Sequence, residues 1–467
     1  MAEAVETPPR PIRRVLITGA TGYIGGRLVP ELLDAGYEIR CLVRNPAKVS
    51  DEVWSDRVEV VKGDVTDRES VVAAMEGMDA AYYLVHSMGA STDFSSRDRE
   101  AATTFRDAAA ETGLRRIVYL GGLGRDDDPH LSAHLQSRHE VGRVLADGPV
   151  PVTELRAAVI IGSGSASFEM LRYLVEILPV MICPRWVHNR CQPIAIGDVL
   201  YFLVAVLGVE ESEGQILEVG GPDILSYRDM MLTYAEVAGL RRRRIQPVPV
   251  LSPSLSSRWV GLVTPLPTGL ARPLVESLIN EVVVEDRPIT AVIPHRPIPF
   301  REALERALAR VAELEVVTSW SDATLPGRSP ADPMPTDPDW AGGSLLRDWQ
   351  QSSSDASPAE LFQTVQGIGG ARGWYVTPLL WGIRGFADKL IGGVGMRRGR
   401  RNPDVMWVGD AVDFWRVEAV EPPSLIRLRA EMKLPGEAWI EWRIEPEGSG
   451  SRLDQRAIFY PRGLLGR

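Results

Sequence analysis

The segment that most constrains the fold is residues 15–26, with the sequence VLITGATGYIGG. An apolar run typical of a buried strand leads into three glycines at the spacing GxxGxxG. Gly19 permits a sharp turn, Gly22 lets backbone N–H groups approach phosphates, and Gly25 lets the following helix, predicted over 23–35, lie close to the strand. The N-terminus of that helix then faces an anion. The junction therefore predicts a dinucleotide pyrophosphate site made by Gly19, Thr21, Gly22, Tyr23, Ile24 and Gly25, although a packed turn without a ligand can carry the same glycines.

The chain from Val15 to about Val159 alternates β-rich runs with helix-length segments. The later runs are EIRCLV, RVEVVKGD, DAAYYLVH, RRIVYLGG and VTELRAAVII. Short connections and nearly continuous apolar runs are typical of parallel strands covered on both faces, so we predict an α/β fold with a doubly wound Rossmann sheet. After Ile161, two apolar helices flank an extended polar piece that could cap a pocket. Helices predicted over 227–239 and 301–313 complete this domain.

Composition changes near residue 318 and marks a second domain. Residues 318–343 contain five prolines and show no periodicity, which predicts a linker. Nine of the twelve tryptophans lie from Trp320 onward, and residues 426–434 alternate apolar and polar side chains, as in an antiparallel strand with one wet face. We therefore predict a disordered leader over 1–13, an NAD(P)-binding Rossmann domain with a substrate-capping part over 14–317, a linker over 318–343 and an α+β domain over 344–467.

The charge balance and the cysteines narrow the class of protein. The 62 acidic and 52 basic residues give a net charge of −10, which argues against a protein that binds nucleic acid or anionic membrane surfaces. Three scattered cysteines are too few for a disulfide framework or a zinc site, so we predict a reducing, cytoplasmic location and no metal site.

The leader lacks the apolar core of a secretory signal. The apolar segment 170–183 is short and carries Arg172 and Glu176, so we predict no transmembrane helix. The basic run 241–244 is typical of a solvated turn rather than an anion site.

Two positions after the second and third strands bear on the choice of cofactor. Arg44 follows the second strand, where an acidic residue would hold the ribose hydroxyls of NAD and a guanidinium suits the 2′-phosphate of NADP. We therefore expect NADP rather than NAD. Asp64 closes the third strand, where its carboxylate can accept from the adenine amino group while Val65 covers the ring. A cap on the next helix is the other role open to Asp64.

These motifs resemble those of a known family. The TGATGYIGG turn, the LVRN after the second strand and the KGDV after the third resemble the atypical and extended short-chain dehydrogenase/reductases, above all the NmrA-like group and relatives of the complex I NADPH-binding subunit. The resemblance covers about 300 residues, a span of more than one small domain. It implies an NADP-binding Rossmann domain whose smaller C-terminal part holds the substrate.

The catalytic positions depart from the family pattern. Active members end the fifth strand with a serine and carry Tyr-x-x-x-Lys on the next helix, where the tyrosine donates a proton. Alignment by spacing puts Gly121 or Gly122 in place of the serine, and His134 and Arg138 in place of the tyrosine and lysine. An ordinary histidine titrates near ~6.5 and can donate a proton, whereas an arginine can hold a ribose hydroxyl or phosphate but cannot relay protons. His86 ends the fourth strand and is a second candidate donor; for each histidine, the alternative is a polar rim residue.

The C-terminal domain resembles a helix-grip fold of the polyketide-cyclase or START-like kind, which implies a cavity for a hydrophobic small molecule. The whole chain is thus predicted to be an NADP(H)-binding oxidoreductase that reduces a carbonyl or activated C=C of a small molecule, with His134 or His86 as the proton donor. A catalytically degenerate NADP(H) sensor is the alternative. A third reading places the function in the C-terminal domain and makes the Rossmann part a platform.

Overall fold

The computed structural model describes residues 11–49, 52, 54–86, 94–248, 274–317, 346–369, 404–431, 436–448 and 450–461. The chain forms two compact units, Met1–Gly342 and Gly343–Arg467. The linker predicted over 318–343 and the first ten residues of the predicted leader lie outside the described residues.

The first unit is built on a parallel sheet. Its strands are β1 (Arg14–Thr18), β2 (Glu38–Val43), β3 (Glu59–Lys62), β4 (Ala80–Tyr83), β5 (Arg116–Gly122), β6 (Val152–Ala157), β7 (Ile160–Ile161), β8 (Val180–Pro184), β9 (Arg190–Cys191), β10 (Ile194–Ala195), β11 (Ile216–Val219), β12 (Leu225–Ser226) and β13 (Arg244–Val248). Seven of them form the main sheet in the order β11-β6-β5-β4-β1-β2-β3, and every neighbouring pair in it is parallel. The predicted α/β class is confirmed. The run predicted as one strand, VTELRAAVII, is split into β6 and β7.

Helices cover both faces of this sheet. They are α1 (Tyr23–Asp34), α2 (Arg68–Met75), α3 (Phe94–Thr112), α4 (Ala133–Ala146), α5 (Ala166–Ile177), α6 (Ile196–Ala205), α7 (Tyr227–Val237) and α8 (Phe300–Val317). Helices α1 and α6 pack against each other over one core, while α2, α3 and α4 pack side by side over a second. A third core joins α5, α7 and α8 with the short strand pairs β7–β10, β8–β13 and β9–β12. This third core lies in the part of the chain after Ile161 that was predicted to cap a pocket.

Helix α5 buries charges that the sequence analysis used against a membrane span. Arg172 is fully buried between Glu169 at 3.5 Å and Glu176 at 3.4 Å. The hydroxyl of Tyr234 on α7 donates to Glu176 at 2.7 Å. A buried charge is tolerated when it is paired and hydrogen-bonded, as here. Within the described ranges, no helix is long and apolar enough to cross a membrane.

One residue of the basic run 241–244, Arg243, is buried and hydrogen-bonded, which corrects the expectation that the whole run is a solvated turn. Arg243 is 8% exposed, and its guanidinium donates to the backbone carbonyls of Val175 at 2.7 Å and Glu176 at 3.3 Å, at the end of α5. The last carbonyls of a helix have no partner within the helix, and a cation there also complements the helix dipole. The Arg243 side chain thus caps the C-terminus of α5.

Arg243→Ala is expected to lower the unfolding free energy of the first unit by about 1–3 kcal/mol, because two buried carbonyls lose their donor. Thermal denaturation followed by circular dichroism should show a melting temperature several degrees lower. Arg242→Ala removes the same side chain from an exposed neighbouring position and should leave the midpoint unchanged. Equal midpoints for the two variants would contradict this role.

The three cysteines are buried and unpaired. Cys41 lies in β2, Cys183 in β8 and Cys191 in β9. Burial raises the pKa of Cys41 to about 12, of Cys183 to about 11 and of Cys191 to about 12. All three are therefore neutral thiols at physiological pH.

The second unit contains an antiparallel sheet. Its elements are β14 (Leu346–Ser354), α9 (Pro358–Gln366), β15 (Ala411–Val412), β16 (Trp415–Glu421), β17 (Leu425–Ala430), β18 (Gly436–Glu447) and β19 (Gly450–Pro461), in the sheet order β14-β19-β18-β17-β16-β15. The predicted antiparallel sheet is confirmed, and its core lies between α9 and the apolar face that includes Ile426, Leu428 and Trp442. The strand predicted over 426–434 is observed as β17, while 432–435 lie outside the described residues. The helix-grip assignment stays a prediction.

Candidate active site

The β1–α1 turn has the close approaches that its glycines predict. Gly19 adopts φ +80°, a left-handed conformation that favours glycine, and a Cβ there would come within 2.6 Å of the carbonyl oxygen of Leu84. The N–H of Gly22 donates to the carbonyl of Gly19 at 2.9 Å. A Cβ on Gly25 would overlap that same carbonyl oxygen. The turn therefore lies directly against the chain that leaves β4, and α1 lies against the turn.

The N-terminus of α1 is suited to hold an anion. Gly22 is the N-cap and supplies no side-chain cap, and the first turn has no acidic residue. The first N–H groups of such a helix have no partner within the helix and carry partial positive charge. The ring of Tyr23 lies under the Arg27 guanidinium at 4.0 Å, and its hydroxyl abuts Gly162. The side chain of Tyr23 is thus turned toward Arg27 and Gly162, and the contributions of Tyr23 and Ile24 to cofactor binding stay predictions.

The loop after β7 was not predicted to belong to the site. Its Ser163 carbonyl accepts from Arg27 of α1 at 3.3 Å. The Ser163 hydroxyl is fully buried and has no hydrogen-bond partner among the described residues. Small residues at 162–165, with the sequence GSGS, are the signal that could have identified this loop.

Arg44 and Asp64 lie near each other at the ends of β2 and β3. Arg44 is exposed. Asp64 Oδ1 accepts from the backbone N–H of Thr66 at 3.0 Å and from its hydroxyl at 2.9 Å. The Thr66 N–H and, to a smaller degree, the charge of Arg44 lower the pKa of Asp64. Asp64 thus closes a turn and is not the cap of α2, since Asp67 occupies the N-cap position. Val65 is half-buried against the core under α2.

The structure brings together the two histidines that the sequence named separately. His86 Nε2 lies 3.2 Å from His134 Nδ1, across 48 residues of sequence. His86 Nδ1 lies 3.0 Å from Asp98 Oδ2 on α3. The side chains of His86 and Asp98 are 11% and 5% exposed. Asp98, His86 and His134 therefore form one hydrogen-bonded chain, which we call the histidine chain.

Asp98 is a site residue that the sequence analysis missed. It stands on the buried face of α3, one turn before Ala102 and two turns before Phe105, which are both fully buried. A carboxylate on an apolar helical stripe is unusual, since Asp is seldom buried without a partner. The position of Asp98 within the apolar stripe of α3 is the sequence signal that could have identified it as a site residue.

Burial and neighbouring cations keep both histidines neutral. The pKa of His134 is lowered to about 3, mainly by burial and then by His86 and Arg138. The pKa of His86 is lowered by burial and by Arg138, while Asp98 opposes the shift. The expectation that His134 titrates near the ordinary value is wrong. At neutral pH, both rings are imidazoles.

Arg138 is engaged with β5. Its guanidinium donates to the backbone carbonyl of Leu120 and lies 5.5 Å from the centre of the Tyr119 ring. The Tyr119 hydroxyl donates to the backbone carbonyl of Arg138 at 3.0 Å. Arg138 is thus fixed near the histidine chain as a positive charge, and its contact with a ribose stays a prediction.

Neither glycine at the position of the family's serine leaves space for a side chain. A Cβ on Gly121 would come within 2.8 Å of Glu154 Oε1, and a Cβ on Gly122 within 2.7 Å of Leu135 Cδ2. A serine could not be restored at either position without a shift of these neighbours. The position of the family's serine is therefore filled by neighbouring side chains, whereas the hydroxyl of Ser137 on α4 donates to Asp98 Oδ2 of the histidine chain at 3.5 Å.

A cavity of about 650 Å³ opens elsewhere, beside the carboxyl end of β11. Its wall includes His295, whose Nε2 lies 2.7 Å from Asp198 Oδ1. None of the predicted site residues lines this cavity, and β11 stands two strands from β5 in the sheet. We assign it no part in the chemistry of the histidine chain. Over the ranges that the structure describes, no group of three or more His, Cys, Asp or Glu side chains is placed to hold a metal ion.

Comparison with known proteins supports the class of the first unit. Residues 19–159 match a family described as NAD(P)H-binding, and residues 340–467 match one described as protein of unknown function (DUF2867). The N-terminal part of the chain is thus similar to NAD(P)H-binding domains, in agreement with its turn and strand motifs.

Two curated relatives are reductases. A (4-alkanoyl-5-oxo-2,5-dihydrofuran-3-yl)methyl phosphate reductase of Streptomyces griseus is 28% identical over 232 residues, which are 48% of this chain and 74% of that protein. Cinnamoyl-CoA reductase 1 of Oryza sativa is 31% identical over 116 residues, which are 24% of this chain and 34% of that protein. The match thus covers about three quarters of the first relative and about one third of the second.

Two solved structures share the fold of the first unit. The NADPH-dependent quinone oxidoreductase of Escherichia coli, solved with NADPH, is 20% identical with a TM-score of 0.52, over 63% of this chain and 99% of that one. The triphenylmethane reductase of a Citrobacter species, solved with NADP(H), is 19% identical with a TM-score of 0.51, over the same shares of the two chains. At these identities the similarity shows the fold alone.

Proposed function

We propose that the first unit is an NADP(H)-dependent oxidoreductase that reduces a carbonyl group or an activated C=C of a small molecule. The observation that carries the proposal is the position of the histidine chain. His86 stands two residues after Leu84, whose carbonyl lies against Gly19 of the dinucleotide turn. Ligands of open α/β sheets bind at the carboxyl ends of the strands, where the strand order reverses. Here that point lies between β1 and β4.

The residues present fit a dinucleotide. The N-terminus of α1, with the glycine cap and no acidic residue in its first turn, would hold the pyrophosphate. The exposed Arg44 would hold the 2′-phosphate, Asp64 would accept from the adenine amino group and Val65 would cover the ring. NADP is favoured over NAD by Arg44, and both solved relatives above hold NADPH or NADP(H). When bound, the cofactor supplies a hydride from C4 of its nicotinamide.

His134 would supply the proton. Its Nδ1 is turned toward His86, so its Nε2 is the nitrogen left for a substrate. Arg138 cannot transfer a proton to the substrate, because a guanidinium does not lose its proton in a protein. Its positive charge would instead favour the oxyanion that develops on the substrate. The sensor alternative is less favoured, because a buried carboxylate and two aligned histidines would have no task in a protein that only binds dinucleotide. The cytoplasmic location and a hydrophobic ligand of the second unit stay predictions.

Titration calorimetry of the full chain with NADPH, NADP, NADH and NAD tests the cofactor assignment. We expect Arg44→Asp to weaken NADPH binding by roughly 10- to 100-fold, since it removes a charge-assisted contact and adds a like charge near the phosphate. NADH binding should change little. Arg242→Asp, the same charge change at another exposed position of the unit, is the matched control.

Two results would contradict this proposal. If none of the four dinucleotides binds, both the reductase and the sensor readings fail, and the second unit becomes the place to look for the function. If Arg44→Asp weakens NADPH and NADH equally, the assignment of the 2′-phosphate to Arg44 is wrong even though the turn binds dinucleotide.

A further inference from the structure

We propose that Asp98 and His86 are positioning residues of a two-histidine proton relay, in which Asp98 fixes the ring of His86 and His86 fixes the protonation of His134. This inference rests on the proposed function, since it identifies the groups that prepare the proton donor. It adds two residues, Asp98 and His86, whose side chains act on the substrate only through His134.

The hydrogen-bond partners dictate where the protons reside. A carboxylate only accepts, so the His86 Nδ1 that lies 3.0 Å from Asp98 must carry a hydrogen. A neutral His86 then has a lone pair on Nε2, and His134 Nδ1–H donates to it across 3.2 Å. The remaining nitrogen of His134, Nε2, consequently has a lone pair. In this resting state, the site is arranged to accept a proton, as the oxidation of an alcohol requires.

One added proton converts the same chain into a donor. His86 then carries hydrogens on both nitrogens, with its positive charge beside Asp98, and His134 carries its hydrogen on Nε2 alone. During reduction, the substrate carbon receives the hydride, His134 Nε2–H gives its proton to the substrate oxygen, and His86 Nε2–H passes a proton to His134 Nδ1. The chain returns to its resting state and regains one proton from solvent. In the protonated state, the positive charge lies on His86, the ring nearest the carboxylate; it disappears when the proton is passed on.

The charged groups around the pair explain why Asp98 is needed. Arg138 on α4 disfavours a proton on either histidine, whereas Asp98 on α3 favours it. The two tyrosines that also face Asp98 and Arg138 stay neutral: burial raises the pKa of Tyr83 on β4 far above its ordinary value, and that of Tyr119 on β5 to about 12. Of these facing groups, Asp98 is the one that stabilises the protonated pair. Without Asp98, the pair would take up the proton that reduction consumes only at a still lower pH.

The test is nitrogen NMR of the full chain labelled with ¹⁵N only in histidine, which reports the tautomer and titration of each of the six rings. In the wild type we expect hydrogen on Nδ1 of both His86 and His134 at neutral pH, and a coupled titration. Asp98→Asn removes the carboxylate charge, and its side-chain amide can either accept from or donate to His86 Nδ1, so the hydrogen is no longer required to lie on Nδ1 of either histidine. The pair should then take up its proton only at lower pH. Asp107→Asn, the same change at an exposed position of α3, should alter neither property.

Each outcome decides the proposal. Unchanged proton uptake by the pair in Asp98→Asn, or two histidines that titrate independently, would overturn the relay. If Asp98→Asn does not fold, the wild-type spectrum decides alone, because hydrogen on His86 Nε2 excludes the arrangement. NADPH is added to the same samples: failure to bind refutes the proposed function but leaves the relay intact. With a carbonyl substrate in hand, Asp98→Asn should lower kcat by roughly tenfold or more and move the pH profile to lower pH, with KM unchanged.

Discussion

Replacing His134 by alanine is expected to lower kcat for NADPH-dependent carbonyl reduction by about 10²- to 10⁴-fold, the usual contribution of a positioned acid. NADPH affinity should stay within about twofold, since His134 is not placed at the pyrophosphate turn. The assay is NADPH oxidation with a panel of aldehydes, ketones and enones, followed by titration calorimetry of each variant. His130→Ala is the matched control, because His130 is exposed in the loop before α4 and only its backbone is hydrogen-bonded to described residues.

The pH dependence of the wild type follows from the lowered pKa values of the two histidines. The donor form exists only below the pKa of the pair, so kcat/KM for carbonyl reduction should rise as pH falls from neutrality. Oxidation of the product alcohol uses the lone pair on His134 and should fall over the same range. A wild-type rate in His134→Ala, or a pH profile unchanged by that substitution, would show that the proton comes from elsewhere.

Gly25→Ala is expected to cost roughly 1–3 kcal/mol of unfolding free energy and to weaken NADPH binding by about 100-fold. The added Cβ would overlap the carbonyl oxygen of Gly19 and approach its carbonyl carbon to 2.7 Å and Ala20 Cα to 3.0 Å. These are backbone atoms that cannot rotate aside. Helix α1 must therefore move away from the turn, and its first N–H groups move with it. Thermal denaturation and titration with NADPH measure the two effects.

Gly197→Ala is the control for that substitution. Gly197 lies in α6, and a Cβ there meets nothing within 4 Å. Alanine favours a helix over glycine, so this variant should be as stable as the wild type or slightly more so, with unchanged NADPH binding. If Gly25→Ala also binds NADPH normally, the α1 turn is not the pyrophosphate site.

Local patterns in the sequence predicted the framework of the fold because they report contacts between near neighbours. The glycine spacing from Gly19 to Gly25 predicted the close packing of α1 on the turn, and that packing is observed. The alternation of apolar residues around Ile426 and Leu428 predicted the buried face of β17. The first pattern lies within seven consecutive residues and the second repeats at the period of a strand, so the sequence displays both directly.

The contacts that define the candidate site are not local and could not be predicted in the same way. Each histidine could be placed at the carboxyl edge from its position after a strand or on a helix, but nothing in the sequence indicated that His86 and His134 touch. Their pKa values depend on burial and on Arg138, which only the packed structure provides. Arg243 was misjudged for the same reason, since its partners are backbone carbonyls some 67 residues away.

The buried thiols have a consequence for the chemistry that this chain can tolerate. Activated alkenes and quinone-like carbonyls are electrophiles that alkylate cysteine, and the reactive species is the exposed thiolate. This chain has only three cysteines, all within the described residues, and each is buried and protonated. A reductase of such compounds with this arrangement would therefore not expose a thiolate to its own substrates.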